Sequence, residues 1–170
     1  MRLLLACIAL VLLSGGHAWA EGPELRAGAY AIDISPAAYP VIVNGMFTER
    51  TAEKAFDPLH ARCLVLANAD TQMAIVVVDS CGIMREYLDE AKELASKATG
   101  IPANRMLISA THTHSAPSAW PVLGSRVDAN YVPLLIRQIA RGIELAQKNL
   151  APAEIGWGVI ENHDDDFCRR

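Results

Sequence analysis

From Ala27 to Ile34 (AGAYAIDI) apolar and polar positions alternate, and Ser35-Pro36 ends the run, so a strand is predicted there. Residues 35–57 carry Pro36, Pro40, Asn44 and Gly45 without a helical period, which predicts an ordered surface loop. Arg62–Ala67 (RCLVLA) and Met73–Val78 (MAIVVV) are continuous apolar runs joined by Asn68-Ala69-Asp70-Thr71; such runs read as central strands covered on both faces. From Met84 to Thr99 the pattern changes. Met84, Tyr87, Leu88, Ala91, Leu94, Ala95 and Ala98 recur at three- and four-residue steps, the mark of an amphipathic helix. Gly100 sits where a left-handed C-terminal cap belongs, and Pro102 prevents continuation. Arg105–Ala110 (RMLISA) predicts a further strand. A second long helix follows to about Leu150, capped by Asp128 or Asn130, with Pro133 in its first turn and Leu135, Ile139, Ile143 and Ala146 on its buried side. Ile155–Ile160 (IGWGVI) predicts a last strand. The order β-β-β-α-β-α-β implies an α/β domain, a layered mixed β-sheet flanked by helices. Its first strands lie close enough in sequence to pair antiparallel, and the helical crossover before Arg105 implies a parallel pair. The chain stops at Phe167-Cys168-Arg169-Arg170, just past a strand, so the domain is expected to be incomplete.

The first twenty residues do not belong to this pattern. Arg2 is a positive leader to the apolar run Leu3–Leu13, Ser14-Gly15-Gly16 breaks it, and Ala18-Trp19-Ala20 is a small-x-small cleavage site. A secretory signal peptide over 1–20 is predicted, against the alternative of an anchoring N-terminal helix. Leu4-Leu5-Ala6-Cys7 looks like a lipobox, but the run before Cys7 is too short to be a signal. Residues 21–170 are then an exported chain, periplasmic or extracellular, with no transmembrane segment.

Composition narrows the class. Hydrophobic residues make up 52% and charged residues 20%, which is globular and excludes disorder, collagen and a disulfide miniprotein. Without Arg2 the mature part holds 14 basic and 19 acidic residues, a net charge of −5 with neutral histidines. That balance, with no clustered basic face, excludes nucleic acid as a partner. Cys63, Cys81 and Cys168 remain after cleavage, an odd number with no C-x-x-C pair, so no structural zinc knuckle is expected. Cys63, inside a strand, reads as a small buried hydrophobe.

Candidate chemistry concentrates after the strand ending at Ala110, in Thr111-His112-Thr113-His114-Ser115-Ala116-Pro117-Ser118. Loops at strand C-termini are where α/β proteins build their sites. In an extended segment, alternation sends His112 and His114 to one side and Thr111, Thr113 and Ser115 to the other. Two converging imidazoles suit a borderline-soft cation such as zinc. The same residues also fit two exposed loop histidines, or one imidazole hydrogen-bonded to the backbone. Asp79, at the end of a neighbouring strand, could orient a ligating imidazole or cap the turn near Ser80. His60 reads as packing, and Asp164-Asp165-Asp166 beside His163 as a solvated turn.

Ile108–Pro117 (ISATHTHSAP) resembles the THTHSGPG signature of the neutral, non-lysosomal ceramidases. Other segments resemble that family in the same order: Arg26–Tyr30 with Asp33–Pro36, Asn44-Gly45, Asp57–Arg62, and Val76–Asp79 followed by Gly82. The resemblance covers nearly the whole mature chain and makes 21–170 the front part of a ceramidase-like catalytic domain. It implies hydrolysis of an N-acyl amide, ceramide giving a fatty acid and a sphingoid base, with Zn2+ as cofactor and a lipid-like amide as substrate. His112 would be a metal ligand, His114 would act beside the metal on substrate or water, and Arg169 would correspond to the family's substrate-facing arginine. Ala116 and Ser118 replace the motif's two glycines, so the approach of a substrate to the backbone would differ. The family's remaining ligands, a second histidine, a glutamate and a tyrosine, have no counterpart up to Arg170, so this stretch alone is expected to be inactive. Two other classes fit the residues: a different exported metallohydrolase, and a non-enzymatic binding module without metal.

Overall fold

The computed structural model describes residues 24–161. Strand β1 (Leu25–Asp33) leads into a short hairpin of β2 (Val41–Val43) and β3 (Arg50–Ala52), followed by β4 (His60–Asn68) and β5 (Thr71–Val78). Helix α1 (Arg85–Thr99), strand β6 (Met106–Ala110), helix α2 (Val132–Lys148) and the two-residue β7 (Ala151–Pro152) complete the order. The main sheet runs β6-β5-β4-β1-β7, antiparallel except for the β5–β6 pair. The mixed α/β sheet expected from the pattern is present.

Two element assignments are corrected. Residues 35–57 are not loop throughout, because β2 and β3 pair there as a separate two-stranded sheet. Ile155–Ile160 forms no strand. The chain pairs with β1 only through Ala151 and Pro152 and then leaves the sheet, so Trp157, Val159 and Ile160 find no neighbouring strand among the described residues.

Cross-strand register puts Ile32, Ala61, Val78 and Ala110 in one row, and Cys63, Val76 and Ile108 in the next row on the same face. That face carries the buried core, with Ala91 and Ala95 of α1 and Leu135, Ile139, Ile143 and Ala146 of α2 packed on it. A Cβ at Gly142 of α2 would lie 2.7 Å from the Cys63 sulfur, so only glycine lets the helix approach this strand so closely. The opposite face leaves Val77 and Leu107 exposed among the described residues. Among the described residues β4 and β5 are therefore covered on one face, not two, and their burial alternates accordingly. Gly100 caps α1 at φ +76°, as its position predicted. Asp128 precedes α2, its carboxylate accepting the N–H groups of Asn130 and Tyr131 at 3.1 Å each.

Candidate metal centre

β5 and β6 run parallel, so their C-terminal ends lie side by side, and the segments leaving them face each other. Thr111 N–H bonds to the Val78 carbonyl at 2.9 Å, which carries the pairing one step past β6. Then the backbone turns: His112 adopts φ +61°. The two histidines share a side because of this left-handed residue, not because the loop is extended. Their rings meet edge to face, centroids 4.9 Å apart with 69° between planes. Both side chains are exposed. Thr113 and Ser115 point elsewhere, their hydroxyls 3.3 Å apart.

His112 is held from the neighbouring strand end. Its Nδ1 lies 2.8 Å from the carbonyl oxygen of Cys81. A carbonyl only accepts, so Nδ1 carries the proton and Nε2 keeps a free lone pair. This is the arrangement that commonly orients a metal-binding imidazole. The Cys81 sulfur lies 3.9 Å from the same Nδ1, and burial pushes its thiol pKa up. Cys81, His112 and His114 together place one ligand atom each within 4.8 Å of one another, a group that could hold a metal ion. Tetrahedral zinc, with bonds of about 2.0–2.3 Å, needs donor atoms roughly 3.5 Å apart, so this spacing fits after a small closing movement.

His114 is held from the hairpin. Arg50 donates through its guanidinium to the carbonyls of His114 and, at 3.4 Å, Asn44. Gly45 has φ +100°, and a Cβ added there would overlap the His114 side chain. Asn44 is fully buried; its N–H reaches the Ala116 carbonyl at 3.3 Å and its side-chain amide the Trp120 carbonyl at 3.0 Å. The Ser118 N–H bonds the Ile42 carbonyl at 2.8 Å, and the Asp128 carboxylate accepts the Ile42 N–H at 2.9 Å. The hairpin, the histidine loop and the start of α2 thus brace one another.

Asp79 takes neither role weighed for it from sequence. Its carboxylate accepts the His60 N–H at 2.9 Å and the Arg62 guanidinium at 2.8 Å, and the partner of His112 is a carbonyl two residues further on. Partial burial pushes the Asp79 carboxyl up, but the Arg62 and His60 donors and their charges outweigh it, and the pKa lies below its usual value. His60 is partly buried, as packing required. Arg169, Cys168, the acidic run Asp164–Asp166 and the signal segment 1–20 lie outside the described residues. Sequence reasoning passed over Cys81, Arg50 and the contact that makes Gly45 necessary. Only the Asn44-Gly45 pair carried a visible signal, as a turn.

No family model matches the chain. Its fold is similar to solved structures. A neutral ceramidase from Pseudomonas aeruginosa superposes with a TM-score of 0.66 at 24% identity, over 78% of this chain and 23% of that one. The fold is ceramidase-like. A ceramidase complexed with C2 matches at a TM-score of 0.65 and 25% identity, over 76% of this chain and 22% of that chain. The ceramidase-like chain thus spans less than a quarter of the length of the structures it matches. Among the described residues no helix is long and apolar enough to cross a membrane.

Proposed function

We propose that the chain forms part of an exported, zinc-dependent amide hydrolase of the neutral ceramidase kind. The observation that carries this reading is the convergence of His112 and His114, 4.9 Å apart at the C-terminal edge of two parallel strands, with Nδ1 of His112 already engaged by a carbonyl. The ceramidase-like fold and its lipid-amide association support the substrate class, an N-acyl amide such as ceramide cleaved to a fatty acid and a sphingoid base. A zinc ion held there would supply Lewis-acid polarisation of the amide carbonyl and a water acidified towards neutral pH. His112 offers Nε2 as the ligand, with its ring angle fixed by the Cys81 carbonyl. His114, exposed beside it, is placed to accept a proton or to hydrogen-bond a substrate hydroxyl. A catalytic zinc takes three protein ligands and an open position, so further donors beyond His112 belong to the reading. Arg169 is proposed to face the substrate, and residues 1–20 to direct export to the periplasm or beyond.

The test is zinc content and ceramide turnover of the complete protein, with and without a chelator, beside His112→Ala. Stoichiometric zinc, chelator-sensitive turnover and loss of both in the variant are expected. Retention of stoichiometric zinc by His112→Ala would remove the ligand assignment, and zinc binding without ceramide turnover would favour another metallohydrolase.

A further inference from the structure

A cavity of about 420 Å³ opens on the other side of the histidine loop, between that loop and the β2–β3 hairpin. Its volume falls in the range of roughly 300–1,000 Å³ usual for small-molecule sites. Tyr39, Val41, Val43 and Leu59 give it an apolar wall, and Thr113 and Ser115, the residues turned away from the imidazoles, close one side. Two cations stand in this wall, Arg50 and Lys54, against one carboxylate, Asp57. Neither cation has a carboxylate partner among the described residues, whereas Arg62, Arg85, Arg126, Arg141 and Lys148 all do. The nearby Glu49 is taken by Arg126 at 2.7 Å and does not neutralise them. Lys54 rests its ammonium over the ring of Phe56, 4.8 Å from the centroid, and Phe56 is 88% exposed.

An apolar wall bearing two unpaired cations fits one kind of small molecule, an alkyl chain with an anionic head. We propose that this cavity binds a fatty carboxylate, its chain against Val41, Val43 and Leu59 and its head between Arg50 and Lys54. The site stands on its own geometry; naming the occupant as the acid released from an N-acyl amide rests on the hydrolase reading. Arg50 also holds the His114 backbone, so a carboxylate at this guanidinium would be one contact away from the candidate metal centre.

The experiment measures binding of decanoate and of uncharged decanol to the complete, zinc-stripped protein by calorimetry, so no turnover is involved. Saturable decanoate binding, at least tenfold tighter than decanol, is expected. Lys54→Glu, which changes a solvent-facing side chain, should weaken decanoate at least tenfold, and Ala55→Trp, filling the cavity, should abolish it. Circular dichroism and thermal unfolding would establish that both variants remain folded. Equal binding of decanol and decanoate, or unchanged decanoate binding in both variants, overturns the proposal. Because zinc is absent throughout, failure here leaves the hydrolase reading untouched, and failure of ceramide turnover leaves this binding result standing.

Discussion

A Cβ on Gly45 would lie 2.2 Å from the Cβ of His114, so the hairpin and the histidine loop meet at a point where one of the two residues has no side chain. Gly45 also sits at φ +100°, a conformation that L side chains rarely adopt. Gly45→Ala therefore imposes both strain and overlap. A loss of about 2 kcal/mol in urea denaturation is expected, together with slower ceramide turnover by the complete protein as His114 is displaced. A variant with parental stability and parental turnover would show that this contact does not position His114.

Gly28 provides a control of similar severity away from the site. A Cβ there would come within 2.1 Å of the Ala146 carbonyl and 2.7 Å of the Leu150 nitrogen, forcing α2 off β1. Gly28→Ala should cost about 1–3 kcal/mol, as overpacking does. Zinc affinity of the folded fraction should not change. A selective loss of zinc binding in this variant would mean that the helix layer and the loop are coupled.

Cys81 can serve the site by its carbonyl or by its sulfur, and Cys81→Ala separates the two. The carbonyl that holds His112 belongs to the backbone and survives the substitution. Zinc affinity, measured by competition with a chromophoric chelator, should fall by far less than the roughly 10–100-fold that loss of an orienting partner costs. A drop of that size or more would make the sulfur a ligand.

Asp79 gives the fold a pH dependence of definite sign. Its folded-state pKa is lowered, so the ionised carboxylate binds its donors more strongly than it does in the unfolded chain. The resulting stability is present above the unfolded value, near 3.8, and is lost as pH falls through the lower folded value. Asp79→Asn should cost about 1–2 kcal/mol at pH 7, since Arg62 is half exposed and the His60 N–H supplies the rest. The difference from the parent should shrink below about pH 4. A gap that stays constant from pH 7 to pH 3 would contradict the assignment.

Burial pushes the Cys63 thiol up to about 12 and raises that of Cys81. The thiolate is the reactive form, so both should resist iodoacetamide at pH 8 while the protein is folded and react once it is denatured. Peptide mass spectrometry reads each cysteine separately. Rapid native labelling of Cys63 would mean that the α2–β4 contact opens readily.

Elements with a period or an unbroken apolar run in the chain itself were legible: β1, β4, β5 and β6, the two helices, the Gly100 cap and the buried row Leu135, Ile139, Ile143 and Ala146. The hairpin was not, because three-residue strands set among Pro36, Pro40 and Gly45 are too short to show a period. The apolar run Ile155–Ile160 misled for the opposite reason. Its residues suit a strand, but a strand exists only where a neighbour offers hydrogen bonds, and none stands beside it among the described residues.

At the site, the residue types alone nominated the two imidazoles, because two histidines spaced two apart after a strand are a local pattern. What surrounds them was decided by the sheet. Cys81 and His112 are 31 positions apart and Arg50 and His114 are 64 apart; each pair meets only because β5 lies beside β6 and the hairpin folds across their ends. Local periodicity follows from neighbours along the backbone and can be read from the chain. Contacts between distant segments follow from strand order and register, which are settled when the whole core packs.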